Sequence, residues 1–350
     1  MEKVTIFFHG NCFDGAASAA LFKNFYEVTL GKSAQFTFIP LAHEVGFSYD
    51  DRMFTGDINV VLDFRYPPSE KVSWWFDHHR TTFIGPDDRE HLETRTTSNQ
   101  FVWNPDAPSN TGLMAKTLAE SFGFTMEPWH ESLIQWAEMI DAATFETPDV
   151  AVELLEPAMA FAFFLEHNQD RSLLVRFIEE LAGGSTVDEL AGIPFWSQRL
   201  NYIRQHCWDM VEDVKGILEV KSRVSSLEIM DHEVSGFNKF IPYYLAPLIN
   251  YSVALLRMET HFKISVGTNP WSKGIKPDGR PDIGALCKKY GGGGHFAVGG
   301  IPFALDQEEK AREAAMEIAE FLREFNIRQE NTRKKDIIEE SPSFELLEQN

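Results

Sequence analysis

The 350-residue sequence has few cysteines, a deficit of basic residues and no long apolar run. Its three cysteines, Cys12, Cys207 and Cys287, are too few and too widely spaced for a disulfide framework or a structural zinc site, which indicates a reducing compartment. The 32 basic residues against 53 acidic ones give a net charge of -21, so the chain has no overall attraction for long duplex nucleic acid. No apolar stretch approaches the roughly 20 residues of a membrane helix, and no secretory leader opens the sequence. We therefore expect a cytoplasmic protein without a membrane partner.

The first third of the sequence alternates strand-like and helix-like segments. Its candidate strands are continuously apolar, as expected of parallel strands that are buried on both faces. A chain of this length with 43% hydrophobic residues can fill more than one core. We predict an α/β fold with an N-terminal parallel-sheet domain over 1–165, a helical connector over 166–220, a smaller C-terminal mixed α/β domain over 221–325 and a mobile tail over 326–350.

The local patterns assign individual elements. The predicted strands are 4–8, 35–39, 59–64, 72–76, 251–258 and 261–267. The predicted helices are 14–27, 129–144, 171–183, 199–220 and 307–325. The stretch 288–300, which is rich in glycine, is predicted to be a loop.

Potential metal ligands stand where three of the predicted strands end. His9 follows the first strand, Asp63 lies at the end of another, and Asp77, His78 and His79 follow "WWF". The carboxyl ends of parallel strands meet at one edge of a sheet, so these side chains should converge. Carboxylates mixed with imidazoles favour Mn²⁺ or a similar divalent ion. A pair of ions about 3.5–4 Å apart would relieve the repulsion between carboxylates and activate a water molecule.

Each of these residues also has an ordinary structural interpretation. Asp14, at the start of the first helix, could be an N-cap residue. His9 alone could be a hydrogen-bonded core histidine, and Cys12 is interpreted as a small buried filler. Their coincidence at predicted strand ends favours the metal site over these separate explanations.

Four ordered segments resemble the motifs of the DHH phosphoesterases. They are "HGNCFDGAASA" at 9–19, "VVLDFRYP" at 60–67, "FDHHRTT" at 76–82 and "MIDAATF" at 139–145. Enzymes of this family hold two metals, usually Mn²⁺, with Mg²⁺ or Co²⁺ as further candidates, and hydrolyse phosphodiesters or phosphoanhydrides. The resemblance implies that the metal ligands are His9, Asp14, Asp63, His78 and Asp141. It also implies a bridging role for Asp63 and catalytic roles around the metals for Asp77, His78 and His79. Asp77 and His79 would either orient His78 and the attacking water or contact the phosphate.

The first motif departs from the family pattern, which often has a histidine and two aspartates. Here Asn11 stands near the place of one aspartate. Asn11 could be a neutral oxygen ligand or a hydrogen-bond partner of the ligands.

The segment "KKYGGGGHFAVGG", residues 288–300, predicts a phosphate-binding loop. Consecutive glycines let backbone amides approach an anion, although a merely flexible turn is the plain alternative. The segment resembles the GGGH signature of the DHHA1 domain, which follows the DHH domain in this family and binds substrate. The resemblance implies an active site in the interdomain cleft. The candidate substrate-binding residues are Gly292, Gly293, Gly294, His295, Asn269 and Arg280.

The leading hypothesis is a metal-dependent phosphodiesterase, resembling an exonuclease, that acts on short oligoribonucleotides, linear dinucleotides or 3'-phosphoadenosine phosphate. Two alternatives stay open: a phosphoanhydride hydrolase of the pyrophosphatase or exopolyphosphatase type, and a catalytically weak nucleotide-binding module. The acidic composition favours a short substrate over long duplex nucleic acid. The sequence leaves a homodimer open.

Overall fold

A computed structural model of the chain describes residues 1–42, 47–95, 98–168, 170–231, 234, 236–272, 279–294 and 296–340, with the backbone alone at 98 and 333–340. The chain divides into two compact units. The N-terminal unit comprises residues 1–146 and 153–206, and the C-terminal unit comprises residues 147–152 and 207–350.

The N-terminal unit is built on a five-stranded sheet in which every pairing is parallel. In chain order its strands are β1 Glu2–His9, β2 Ala34–Leu41, β3 Ile58–Leu62, β4 Trp74–Asp77 and β5 Phe101–Trp103. Their order in the sheet is β2-β1-β3-β4-β5. Val60, Val61 and Leu62 follow one another along β3 and all have 0% exposure, which requires cover on both faces of the sheet. The predicted parallel α/β sheet is confirmed.

Helices account for most of the remaining N-terminal unit. In chain order they are α1 Phe13–Val28, α2 Asp88–Glu93, α3 Asn110–Phe122, α4 Pro128–Asp141, α5 Pro148–Glu153, α6 Pro157–His167, α7 Arg171–Ala182, α8 Val187–Gly192 and α9 Pro194–Ile217. Helix α1 contacts α3, α4 and α7. Its buried alanines, such as Ala16 and Ala20, allow these neighbours to approach closely. Part of α5 and the end of α9 belong to the C-terminal unit.

The C-terminal unit contains a six-stranded mixed sheet, which confirms the predicted mixed α/β class. Its elements in chain order are β6 Glu219–Lys221, β7 Val224–Ile229, α10 Ile241–Leu245, β8 Tyr251–Arg257, β9 His261–Thr268, α11 Ile283–Lys288, β10 Gly293–Gly294, β11 Val298–Ala304 and α12 Glu308–Glu340. The strands are arranged β10-β11-β9-β8-β7-β6. Alternate residues such as Val253, Ile264 and Ile301 form a core with the apolar side of α12, including Ile318 and Leu322.

The glycine-rich stretch is more regular than the predicted loop. Gly293 and Gly294 form β10, which pairs antiparallel with Gly300 and Gly299 of β11. A Cβ atom on Gly292 would lie 2.2 Å from the carbonyl oxygen of Gly300. Gly294 has a φ of +151°, and a Cβ there would lie 2.2 Å from the carbonyl oxygen of Val298. Close backbone packing therefore requires glycine at both positions.

The final helix also differs from the expectation of a mobile tail after residue 325. Helix α12 continues to Glu340, so residues 326–340 are helical, whereas 341–350 lie outside the described residues. The reason lies partly in Asn326, which is 2% exposed. Its amide donates to the Ser222 carbonyl and its oxygen accepts from Asn250, so the helix is anchored beyond the predicted end. None of the described helices has both the length and the hydrophobicity to cross a membrane.

Candidate metal centre

The carboxyl edge of the parallel sheet brings the predicted ligands together. His9 ends β1, Asp63 directly follows β3, and Asp77 ends β4 immediately before His78 and His79. The pairing of Phe8 with Leu62, and of Leu62 with Phe76, sets these strand ends at the same level. The sequence-based expectation that these side chains converge is thus met by the geometry.

Asp14 reaches the cluster from the first turn of α1, where it is 1% exposed. It does not cap its own helix, because Cys12 is the N-cap residue and makes no side-chain capping bond. Its carboxylate instead accepts hydrogen bonds from the backbone N–H groups of Asn110 (2.7 Å) and Thr111 (2.9 Å) and from the Thr111 hydroxyl (2.5 Å). The N-terminus of α3 therefore holds this carboxylate in place.

His78 is the centre of the cluster. Its Nδ1 is 3.0 Å from the Ala107 carbonyl, which can only accept, so Nδ1 carries a proton and donates it there. Its Nε2 lies 3.7 Å from Asp14 Oδ2, 3.4 Å from Asp63 Oδ1 and 3.3 Å from Asp141 Oδ2. In the neutral ring a nitrogen lone pair would face three carboxylates, an arrangement that needs a cation between them.

Two buried atoms support the fit to a divalent metal. His78 Nε2 and Asp63 Oδ1 have no hydrogen-bond partner among the described residues. Buried polar atoms without partners are rare, and a cation would satisfy both. Three ligand groups overlap, and within each group the ligand atoms lie within 4.8 Å of one another. The groups are His9 with Cys12 and Asp63, Asp63 with His78 and His79, and Asp14 with His78 and Asp141.

The pKa shifts have the signs expected of a cation site. Burial lowers the pKa of His78, but Asp63, Asp14 and Asp141 outweigh burial and raise it to about 10. Burial, reinforced by the charges of Asp63 and Asp141, raises the pKa of Asp14 to about 8. Burial opposes ionisation of Asp63, yet His78 and His9 prevail and hold the pKa of that carboxyl well below its usual range. Protons thus occupy the space that divalent cations would take.

Asp77 supports the site without facing solvent, since it is 0% exposed. Its Oδ1 accepts from the backbone N–H of His78 (2.9 Å) and from Nδ1 of His79 (2.7 Å), and its Oδ2 accepts from the Thr82 hydroxyl. Burial lowers the pKa of His79, but Asp77 and Asp63 overcome it and raise the pKa to about 9. Of the two predicted roles for Asp77, orienting a histidine fits this geometry and direct contact with a phosphate does not.

The first motif is arranged differently from the expectation for Asn11. Asn11 is exposed, has a φ of +54° and lines a cavity of about 240 Å³ together with Pro40 and Arg171. Asparagine tolerates this left-handed conformation better than most residues, which gives it a backbone role in the turn after β1. Cys12, the next residue, lies in the ligand group with His9 and Asp63. Sequence reasoning missed it, although its place between His9 and Asp14 was an available signal.

The candidate substrate residues of the C-terminal unit are placed unevenly. Asn269 is 0% exposed, and its amide donates to the carbonyls of Pro247 (3.1 Å) and Ile249 (2.7 Å). This burial does not fit the predicted contact with substrate, and the residue instead fixes a turn. Arg280 donates to the Ser272 carbonyl at 3.3 Å, and His295 lies outside the described residues. Gly292, Gly293 and Gly294 lie at or in β10, and their predicted role in phosphate binding stays a prediction.

Comparisons with known proteins identify the fold. No protein-family model and no curated protein sequence matches the chain. A pGpG-specific phosphodiesterase, PggH from Vibrio cholerae, is similar with a TM-score of 0.61 and 21% identity, over 91% of this chain and 99% of that chain. The exonuclease RecJ bound to manganese is similar with a TM-score of 0.50 and 11% identity, over 91% of this chain and 90% of that one. Both neighbours are DHH-family proteins. The chain has the DHH fold.

The DHH fold confirms the resemblance seen in the sequence at the level of architecture. The four motifs lie on elements that this architecture brings to one sheet edge: the end of β1, the end of β3, the end of β4 and the end of α4. The motif residues His9, Asp63, His78 and Asp141 meet there, with Asp14 beside them. Their roles in binding metal or substrate are taken up as proposals.

Proposed function

We propose that the protein is a divalent-metal-dependent phosphodiesterase that hydrolyses short nucleotide substrates. One observation carries the proposal: His78 Nε2 and Asp63 Oδ1 are buried without a hydrogen-bond partner among the described residues, in a cluster that also contains Asp14 and Asp141. Such an arrangement of carboxylates and imidazoles has the composition of a site for Mn²⁺ or a similar ion. The phosphodiesterase and exonuclease activities named for the two DHH neighbours support the class of reaction.

Each residue of the cluster has a proposed role in binding metal or in orienting a ligand. His9 and Asp63 would hold one divalent ion, Asp14, His78 and Asp141 would hold a second, and Asp63 would bridge them. The ions would supply Lewis acidity toward the phosphate and activation of the attacking water. The Ala107 carbonyl fixes the tautomer and orientation of His78, and Asp77 does the same for His79. These supporting bonds keep the ligand atoms in place before substrate arrives.

The proposed substrates are short oligoribonucleotides and linear dinucleotides. With a net charge of -21, the chain has no general attraction for a polyanion, so binding depends on local groups that contact few phosphates. A dinucleotide offers a single internal phosphodiester for the cluster. The protein PggH, which is similar over nearly its whole length, is named for such a substrate, pGpG.

The test is hydrolysis of pGpG and of a second linear dinucleotide such as pApA, by metal-free protein to which Mn²⁺, Mg²⁺ or Co²⁺ is added back. Chromatography should show release of nucleoside monophosphates only with added metal. A 30-base-pair duplex and inorganic pyrophosphate serve as comparison substrates, and we expect both to be poor.

Two outcomes would contradict the proposal. Full turnover of the dinucleotides by protein that elemental analysis shows to be metal-free would exclude the metal mechanism. Preferred hydrolysis of pyrophosphate would place the chain among phosphoanhydride hydrolases instead. An Asp63→Asn variant provides the matched control for a contaminating nuclease, because its hydrolysis should fall with the loss of the bridging ligand.

A further inference from the structure

We propose that Cys12 is a ligand of the metal position formed by His9 and Asp63, and that its thiolate gives this position a preference for softer divalent ions. The inference rests on the proposed function only in assuming that the cluster binds metal. It concerns a residue type outside the carboxylate and imidazole set.

The geometry singles out this sulfur among the three cysteines of the chain. Ligand atoms of His9, Cys12 and Asp63 all lie within 4.8 Å of one another, a distance that one ion can span. Cys207 instead donates to the Val152 carbonyl at 3.3 Å, and Cys287 is fully buried with its sulfur close to Gly299. Neither belongs to a ligand group among the described residues.

A second observation points to an ion at the same place. The carboxylate of Asp63 is shared between the Cys12 group and the His78 group, and Asp63 is 0% exposed. Its Oδ2 lies 3.3 Å from His9 Nδ1, while its Oδ1 has no hydrogen-bond partner among the described residues. Because Oδ2 faces His9 and Oδ1 faces His78 and His79, this one buried carboxylate joins the Cys12 group to the His78 group, as a carboxylate between two cations would.

Residues 11 and 12 differ in backbone conformation and in exposure. Asn11 adopts a left-handed turn with a φ of +54° and stays exposed beside Arg171. Cys12 follows in an extended conformation, with a φ of -136° and a ψ of 137°, as the N-cap of α1. Its side chain makes no capping hydrogen bond, and its sulfur belongs to the ligand group of His9 and Asp63.

The chemical consequence is a difference between the two metal positions. The position of Asp14, His78 and Asp141 offers oxygen and nitrogen ligands, which suit Mn²⁺. The Cys12 position adds a thiolate, which favours Zn²⁺ or Co²⁺, and the thiol releases its proton to the buffer when the ion binds. We therefore expect a pair of unlike positions, of which the Cys12 position discriminates more strongly against Mn²⁺.

The experiment is a titration of metal-free full-length protein with Co²⁺, followed by absorption spectroscopy and calorimetry. We expect two bound ions and a near-ultraviolet sulfur-to-cobalt charge-transfer band that saturates with one of them. The Cys12→Ser variant should lose the band. Its affinity at one position should fall by about 10- to 100-fold or more, because even partners beyond the direct ligands have effects of that size. The Cys12→Asp variant should bind both ions without the band and should shift that position from Zn²⁺ toward Mn²⁺.

The Cys287→Ala variant is the matched control and should keep the band. A measurement on the wild-type protein guards against variants that do not fold: saturating Zn²⁺ should protect Cys12, identified by peptide mass spectrometry, from alkylation by iodoacetamide. Two bound ions without a charge-transfer band, the same band in the Cys12→Ser variant, or equal alkylation with and without Zn²⁺ would overturn the role of Cys12 alone. A complete failure to bind ions would reject the metal centre and the proposed function together.

Discussion

At the scale of single residues, Asp63 occupies the most connected position in the cluster. It has a φ of +54° directly after β3, and its two oxygens face different neighbours: Oδ2 lies near His9, and Oδ1 lies near His78 and His79. Backbone strain of this kind persists where surrounding structure enforces it, and here it turns the carboxylate across the ends of the strands. The backbone conformation of Asp63 therefore helps to set the position of its carboxylate.

We predict that Asp63→Asn lowers kcat/KM on a dinucleotide by at least about 100-fold, because losing a direct bridging ligand should exceed the 10- to 100-fold effect of an outer partner. The variant is nearly isosteric, so circular dichroism should show an intact fold. Asp106→Asn is the control, since Asp106 is exposed and pairs only with the exposed Arg80 among the described residues. Comparable activity of Asp63→Asn and wild type, with normal metal content, would contradict the assignment of Asp63 as a metal ligand.

Gly15 shows a different constraint on the same motif. A Cβ atom on Gly15 would lie 2.1 Å from the carbonyl oxygen of His9, so α1 can approach β1 only with glycine there. We predict that Gly15→Ala destabilises the protein by about 1–3 kcal/mol, as overpacking usually does, and weakens metal binding by displacing Asp14 from His9.

Chemical denaturation and calorimetric metal titration measure these two effects. The control is Gly216→Ala near the end of α9, where an added Cβ meets no atom within 4 Å. That variant should stay within about 1 kcal/mol of wild type or become more stable, as expected of alanine in a helix. Wild-type stability and metal affinity in Gly15→Ala would show that α1 can shift without disturbing the centre.

At the scale of elements, the start of α4 depends on a neutral histidine. The backbone N–H of Glu127 donates to Nδ1 of His130 at 2.9 Å, so Nδ1 is unprotonated, and Nε2 donates to Asn24 at 3.1 Å. The Glu127 side chain accepts from the backbone of His130 in return and completes a capping box. Burial lowers the pKa of His130 to about 4, and the nearby Glu127 charge only partly opposes it.

The sign of the resulting pH effect follows from proton uptake. The unfolded chain binds a proton on His130 near pH 6.5, whereas the folded protein does so only near pH 4. Neutral His130 therefore contributes to the free energy of unfolding in full above pH 6.5, and this contribution is lost as the pH falls from 6.5 to 4. We predict that the free energy of unfolding of wild type falls by up to about 3 kcal/mol relative to that of His130→Asn over this interval. The difference between the folded and unfolded pKa of His130 sets this upper limit. Urea unfolding of both proteins at several pH values measures it, and parallel curves would contradict the assigned tautomer.

Elements were predictable wherever a local pattern dominated. Strands β1 to β4 and helices α1, α4, α7 and α9 lie within a few residues of their predicted bounds, because hydrophobic periodicity specifies them, whereas the short strand β5 was not predicted. The glycine strand β10 and the extension of α12 were not predicted. The first depends on the approach of β11 and the second on the bonds of Asn326, and both contacts are distant in sequence.

At the scale of the whole molecule, the proposed metal ligands all belong to the N-terminal unit, between residues 9 and 141. Several carboxylates share this small volume, so the metal-free cluster carries electrostatic repulsion that bound cations would relieve. We predict that Mn²⁺ raises the unfolding free energy by about 2.7 kcal/mol at a concentration 100 times its Kd.

Differential scanning calorimetry tests this by comparing EDTA-treated protein with metal-loaded protein. The transition of the N-terminal unit should move to higher temperature, and the shift should be largely abolished in Asp63→Asn. If the two units unfold separately, the C-terminal transition should stay in place. An equal stabilisation of the Asp63→Asn variant would mean that the ions act elsewhere on this acidic chain.

The sequence by itself determined the class of fold, the existence of two sheets and the set of residues at the strand ends, because these depend on local periodicity and on the parallel geometry that periodicity implies. It also indicated five ligands through the resemblance of their motifs. The tertiary structure decided how those residues are used: Asp14 is held by α3, Asp77 orients His79, and Asn269 is buried. It also brought Cys12, which directly follows the left-handed Asn11, into the ligand group of His9 and Asp63. The direction in which each side chain points depends on backbone angles and on contacts distant in sequence, and a pattern along the chain does not specify these.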